Sequence, residues 1–420
     1  MGPCQKTILI GTSLGDNPVP RHFAALAREL TSAGYRVALL VHGPEDDRSY
    51  VDPRISVLRW PSPRPTGLAD ALFFARLLRE HRPCCVISNF GSNNLMTMLG
   101  ALHRVPVRVM WHHTLSDQTL LDSQRGSWTI FLQNLRAKIV WRWATHLAAN
   151  SNAMKQDLVE VFGLPISRCR VFWNCLEDPM ARGGPFAGPE SNCHFVCVGR
   201  FAHSKGQDVV VRAVAAVAPH FPDVRVEFIG EGKRREACAK LAAALGVAKH
   251  CSFSGRLPHR DVLRQMAAAR ATVVPSRAEA FGLVCIESMA VGVPVIGSRT
   301  GGIAEVVREG IDGLLFPPGD HVALTRQMIE LINNDRLHRQ MAAECRQRFL
   351  EKFEISKAVV AQARWLDSII ASSNGSGAQS EVRYLPPFKE ANPLDGSTFK
   401  AEGDRSHGSS APIVGFPERR

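Results

Sequence analysis

Apolar positions along the chain follow two alternating periods. Thr7–Ile10 is a short unbroken apolar run, the mark of a buried strand. From about Arg21 to Ala33 the spacing becomes helical. Phe23, Leu26, Ala27 and Leu30 share one face, and Gly34 ends the run. Val37–Val41, Cys85–Ser88, Val107–Trp111 and Thr145–Ala149 read as further strands. Trp128–Trp143 reads as a helix in which Ile130, Leu135, Ile139 and Trp143 are interleaved with Arg136, Lys138 and Arg142. Strands that are apolar along their whole length, separated by helices, predict a parallel sheet covered on both faces.

Pro179–Asn192 is rich in Gly and Pro and reads as a linker. The alternation then restarts. His194–Val198, Val224–Ile229, Cys251–Ser254, Ala271–Val274 and Val293–Ile296 have strand character. Gln207–Ala218 carries Val210, Val214 and Val217 on one stripe, and Arg234–Leu245 is a second helix stopped by Gly246. The pattern is helical over Asp335–Ser372, and beyond Ser373 the composition is that of a disordered tail. The expected organisation is α/β, with two Rossmann-like domains facing across a cleft. The first spans 1–178, the linker 179–192 and the second domain 193–350. A C-terminal helix over 351–372 can cross back to the first domain, and the tail is 373–420.

Composition narrows the class. The longest uncharged run lies between Arg82 and Arg104 and contains Ser88, Asn89, Ser92, Asn93 and Asn94, so no membrane span is expected. The N-terminus has no basic region followed by an apolar block, and a cytoplasmic location is expected. The 11 cysteines form no Cys-x-x-Cys pair, so buried reduced thiols are expected and a zinc site is not. The net charge is +12, and the positive excess is dense from Arg54 to Arg142. Together with the Trp128–Trp143 helix, that density suits peripheral contact with an anionic membrane and a lipid-linked acceptor. No nucleic-acid-reading motif appears.

Three stretches carry the chemistry. Gly199-Arg200-Phe-Ala-His-Ser-Lys205-Gly follows the strand ending at Val198, so two cations lie on one short loop before a helix. Ligands of parallel sheets bind at the carboxyl ends of strands, and fixed cations beside a helix N-terminus suit a diphosphate. Glu279-Ala-Phe281-Gly282-Leu283 leads into a helix containing Glu287. Glu279 falls in the loop. Glu287 sits on an apolar helix, where a buried carboxylate requires a partner. Gly301-Gly302-Ile-Ala-Glu305 opens another helix, Gly313 suggests a hairpin, and Asp320 suits a helix cap. Gly230 lies in a turn after Val224–Ile229.

GRFAHSKG, FIGEGKRR, PSRAEAFGLVCIESMAVGVPVI and GGIAEVVREGIDGLLFPPGD resemble, in order and spacing, the family 4 retaining glycosyltransferases of the GT-B fold. The resemblance covers most of Phe195–Glu330. It is weaker in the first half, where Ala149–Asp157 and Asn174 look like domain-junction elements. It implies that Arg200 and Lys205 bind the diphosphate of a nucleotide-sugar donor. It further implies that Glu279 meets the sugar, Glu287 the ribose, and that Gly230, Phe281, Gly282 and Leu283 lie along the nucleotide. A histidine after a first-domain strand faces the donor sugar in that family. His113 is the matching residue and His112 the fallback. Two departures stand out. The usual first-loop Gly-Gly pair is replaced by Gly11-Thr-Ser-Leu-Gly15-Asp16, where Gly15 can still approach the diphosphate. The junction reads Asn174-Cys-Leu-Glu-Asp178.

The expected activity is metal-independent transfer of a hexose-type sugar, with retention, from a UDP- or GDP-sugar to a hydroxyl acceptor in polysaccharide or glycolipid synthesis. The nucleotide sugar is a co-substrate and no cofactor is expected. No Asp-x-Asp motif is present to hold a metal beside a diphosphate. An epimerase or a non-catalytic nucleotide-sugar-binding subunit on the same architecture are the alternatives.

Overall fold

The computed structural model describes residues 6–15, 18–43, 47–123, 127–184, 186, 188, 191 and 193–373. The expected 373–420 tail lies outside them apart from Ser373, which ends the helix Ile355–Ser373. The described residues all fall in one compact unit.

That unit holds two parallel sheets. β1 (Thr7–Ser13), β2 (Arg36–His42), β3 (Ser56–Arg59), β4 (Cys85–Asn89), β5 (Val107–His112), β6 (His146–Ala149) and β7 (Cys169–Val171) form a 7-stranded sheet in the order β3-β2-β1-β4-β5-β6-β7. β8 (His194–Val198), β9 (Arg225–Ile229), β10 (Cys251–Gly255), β11 (Ala271–Val274), β12 (Val295–Ser298) and β13 (Gly313–Phe316) form a 6-stranded sheet in the order β10-β9-β8-β11-β12-β13. Strand order reverses beside β1 and beside β8. At such a switch point adjacent loops leave toward opposite faces and open a crevice. The fold is therefore the expected α/β pair of Rossmann-like sheets.

Helices on both faces bury the apolar stripes. Val210, Val214 and Val217 pack against Phe195, Phe228 and Val226 in the second core. In the first, Phe23, Leu26 and Leu30 of the helix Pro18–Ser32 meet Val359, Ala363, Leu366 and Ile370 of the helix Ile355–Ser373. The helix Ile355–Ser373 thus packs back on the first domain. Two backbone bonds fix the crossing, Leu176 N–H to Phe353 O (3.0 Å) and Ile355 N–H to Leu176 O (3.1 Å). Tyr35 donates to Asp367 (2.6 Å), and Asp178 holds Arg346 through both oxygens (2.8 and 2.6 Å).

The structure changes three local expectations. Gly313 opens no hairpin; it begins β13, which pairs with β12 in parallel. A Cβ there would lie 2.4 Å from the Val295 carbonyl oxygen, so the residue is small because two strands approach closely. Within 179–192 the segment Pro179–Gly183 is a helical turn, capped when the Asp178 carboxylate accepts from Met180 N–H (3.0 Å). A proline at the first helical position favours such a turn, which composition alone reads as linker. Residues 349–353 form a π turn between the helices Asp335–Arg348 and Ile355–Ser373, so the latter starts at Ile355.

Candidate active site

The loop after β8 is fixed by backbone-to-backbone packing. Gly206 has φ +67°, and a Cβ there would lie 2.1 Å from the Pro275 carbonyl oxygen, so only glycine fits. Gly230 (φ +139°) is constrained in the same way, its notional Cβ lying 2.2 Å from the Gly199 carbonyl oxygen. The loops after β8, β9 and β11 are therefore nested. Arg277 strengthens the nest by donating to both Asp208 oxygens (2.9 and 2.7 Å) and to the His203 carbonyl (3.0 Å).

Nesting brings Lys205 and Glu279 together although 74 residues separate them. Lys205 Nζ lies 2.6 Å from Glu279 Oε2, and Ser276 Oγ donates to the same oxygen (3.0 Å). The pair is mostly shielded from solvent. Arg200, one loop turn earlier, is 64 % exposed and meets a carboxylate of the first domain, Asp122, at 2.7 Å. Gly282 (φ +96°) caps the helix Leu283–Ala290 without a side-chain acceptor, which leaves the first N–H groups of that helix available. The Phe281 ring is buried in the core against Phe353, so this residue can offer a ligand only its backbone. Leu283 packs against the cores of both domains.

Glu287 is buried, as its apolar helix suggests, and has a partner. That partner is His259 Nε2 at 3.0 Å, from the helix His259–Ala268. Glu287 therefore bonds to a histidine and to neither Arg200 nor Lys205.

In the first domain, His112 and His113 point away from each other, as successive residues at a strand end do. His112 packs on Trp141 (ring centroids 4.7 Å apart) and Phe162. His113 stacks on Phe90 (4.7 Å, 21°) beside Phe23. Both His113 ring nitrogens are closed to solvent and have no hydrogen-bond partner. Burial, aided by His112 and His22, pushes His113 down to about 3. Burial also holds His112 and His22 at about 4. These imidazoles are neutral at physiological pH. Phe90 itself has φ +48°, a rare conformation for a bulky side chain that clusters at functional sites. Gly15 is tied to Tyr50, whose hydroxyl accepts from Gly15 N–H (3.1 Å) and lies 3.2 Å from its carbonyl oxygen. Asp16 lies outside the described residues.

The carboxyl ends of the two sheets face each other. Ser151 donates to the Ala280 carbonyl, and Glu305 accepts from Asn152 N–H (2.9 Å) and Ala153 N–H (2.8 Å). Leu115, two residues after His113, lies against Gly301, which in turn touches the Glu279 carbonyl. A cavity of ≈ 730 Å³ opens beside this junction, lined by Arg64, Asp122, Gln133, Arg200 and Lys233 among others. Asp122, His259 and Phe90 carry no motif in the sequence. Ser276 stood inside the Glu279 motif and could have been read from it.

Two Rossmann-like sheets whose carboxyl ends face each other define an α/β protein of the GT-B type. The family profiles agree. "Glycosyl transferases group 1" matches residues 187–348 and "Glycosyltransferase Family 4" matches residues 19–178. The chain belongs to the family 4, group 1 glycosyltransferases. Among curated relatives, the D-inositol 3-phosphate glycosyltransferase of Acidothermus cellulolyticus is 36 % identical over 193 residues, covering 42 % of this chain and 43 % of that protein. The glycogen synthase of Mycobacterium tuberculosis (strain CDC 1551 / Oshkosh) is 27 % identical over 226 residues, covering 53 % and 54 %. The matches thus span about half the length of these relatives. Among solved structures, sucrose-phosphate synthase from Thermosynechococcus elongatus superposes with TM-score 0.72 at 19 % identity, covering 88 % of this chain and 100 % of that one. Anabaena HepE in complex with UDP and glucose gives 0.69 at 18 %, covering 86 % and 99 %.

Proposed function

We propose that the protein transfers a hexose-type sugar from a nucleotide-diphosphate sugar to a hydroxyl acceptor, with retention and without a metal. The observation that carries this reading is the shielded Lys205–Glu279 pair on the nested loops of the second domain, with Arg200 of the same loop lining an interdomain cavity. UDP is the first carrier to test because the HepE structure holds it, and GDP the second.

In this reading the sugar–phosphate C–O bond breaks as the acceptor oxygen bonds to the same face of the anomeric carbon. The acceptor proton passes to the departing diphosphate. Negative charge grows on that diphosphate, so Arg200 and Lys205 stabilise the transition state more than the ground state. Glu279, held by Lys205 and Ser276, accepts from sugar hydroxyls. Glu287, oriented by His259, accepts from the ribose. Gly199 and Gly230 let the nucleotide approach the backbone, and the N–H groups at Gly282 and Leu283 meet its phosphates. Gly15 closes the opposite wall. His113 is assigned to the sugar side by the family resemblance, and a shift of Phe90 off its ring would offer its unpaired nitrogens to a sugar hydroxyl.

For the acceptor, the helix Ser127–Trp141 supports a lipid-linked hydroxyl at an anionic membrane. Trp128 (71 % exposed), Phe131, Leu132, Leu135 and Ile139 stand in solvent beside Arg136 and Lys138. No helix among the described residues is long and apolar enough to cross a membrane, so contact would be peripheral. The reading is tested by incubating UDP- and GDP-sugars with candidate acceptors and determining the anomeric configuration of the product. An axial-to-axial transfer unaffected by chelator is expected; an inverted product, or donor conversion without acceptor, would overturn it. Co-sedimentation with liposomes should rise with anionic lipid content and fall in Phe131→Ser.

A further inference from the structure

One of the cations lining the interdomain cavity, Arg200, is already engaged by the protein itself. Asp122 Oδ2 accepts from Arg200 Nη2 (2.7 Å) and from Ser204 Oγ (2.9 Å), while Asp122 Oδ1 accepts from Ser204 N–H (2.9 Å). A guanidinium, a hydroxyl and a backbone N–H converging on two oxygens of one anion make up a phosphate seat. The carboxylate filling it comes from the first domain.

The element that delivers Asp122 has little else to hold it. The helix Ser116–Asp122 buries only Ser116. Its first turn is anchored when Ser116 donates through N–H (3.2 Å) and Oγ to Asp157. Its other end exposes Leu120 and Leu121 to solvent and is fastened to the second domain by the three Asp122 bonds. Segments with few buried contacts open at low cost. By contrast, Lys205 and Glu279 both belong to the second domain and are locked by nested loops. Arg64, Arg200 and Lys233 line the adjoining cavity, so an anion that enters it meets positive charge.

We propose that Asp122 occupies the seat of a donor phosphate in the ligand-free enzyme. Donor entry displaces it and frees the Ser116–Asp122 helix from the second domain. Asp122 thereby sets donor affinity, since the binding-competent state is the fraction in which the seat is empty. Two phosphates displace a carboxylate better than one, so the device also favours nucleoside diphosphates over monophosphates. The inference rests on the donor site proposed above.

The test is calorimetric titration of UDP, GDP, UMP and GMP into the wild-type chain and into Asp122→Ala, Asp122→Asn and Arg200→Ala. Asp122→Ala should bind the preferred diphosphate on the order of tenfold more tightly. Asp122→Asn should gain less, and Arg200→Ala should bind more weakly than wild type. Amide hydrogen exchange supplies a second readout. The diphosphate should speed exchange over residues 116–123 in the wild type and change little in Asp122→Ala, where the helix is already free. Equal or weaker binding by Asp122→Ala, or protection of 116–123 on ligation, overturns the proposal while leaving the donor site standing. If neither UDP nor GDP binds the wild type or Asp122→Ala, both readings fall.

Discussion

The loops at the carboxyl ends of the two sheets are built on different principles. Those of the second sheet are nested backbone on backbone: a Cβ at Gly206, Gly230, Gly301 or Gly302 would come within 2.4 Å of a main-chain atom of a neighbouring loop. Two of their cations are compensated where they stand, Lys205 by Glu279 and Arg277 by Asp208, while Arg200 reaches across to Asp122. Those of the first sheet rest on side chains. Phe23, Trp111, His22 and His113 meet edge to face, Phe90 stacks on His113, and several polar atoms among them lack partners. A half nested backbone on backbone can hold a ligand in register. A half with unpaired polar groups awaits something that completes it.

The largest effect should come from the nested half. Lys205→Ala removes the cation placed for the leaving diphosphate and strands the Glu279 carboxylate. Turnover should fall about 10²–10³-fold, as when one oxyanion donor is lost. A steady-state assay with a folded variant checks this, and an activity within a few-fold of wild type would place the charge stabilisation elsewhere.

Next is the acid sensitivity of the first half. His22 and His112 at about 4 and His113 at about 3 lie below the usual imidazole value, so the unfolded chain binds protons that the native state refuses. Their contribution to stability is complete above about pH 6.5 and is lost as pH falls toward 4. At pH 6 each costs about 1 kcal/mol. Thermal melts from pH 7.5 to 5 should show this decline, and it should be shallower in His112→Phe.

The smallest effect sharpens the contrast. His113→Phe replaces two unpaired nitrogens with apolar carbon, so stability should hold or rise. Turnover should nonetheless fall about tenfold, the worth of one hydrogen bond to the sugar. A variant that loses stability and keeps its activity would make His113 a core residue only.

The same contrast explains what could be read from the sequence. The sheets, their helices and the second-domain motifs were legible because backbone contact dictates glycine and prolonged burial dictates apolar runs. Gly230 was fixed in that way, whereas Lys205 and Glu279 stood out as charged loop residues matching the family's motifs. Asp122, His259 and Phe90 were not legible, because each acts through a partner at least 23 positions away that many residue pairs could supply. The turn at Pro179–Gly183 was obscured by the Gly and Pro that also mark linkers.

The most direct test is binding of a panel of UDP- and GDP-sugars, followed by thermal shift, to the wild type and to Lys205→Ala. One donor, at 100 times its dissociation constant, should stabilise the wild type by about 2.7 kcal/mol, and Lys205→Ala should require a much higher concentration for the same shift. No shift with any nucleotide sugar, or an undiminished shift in Lys205→Ala, would contradict the account.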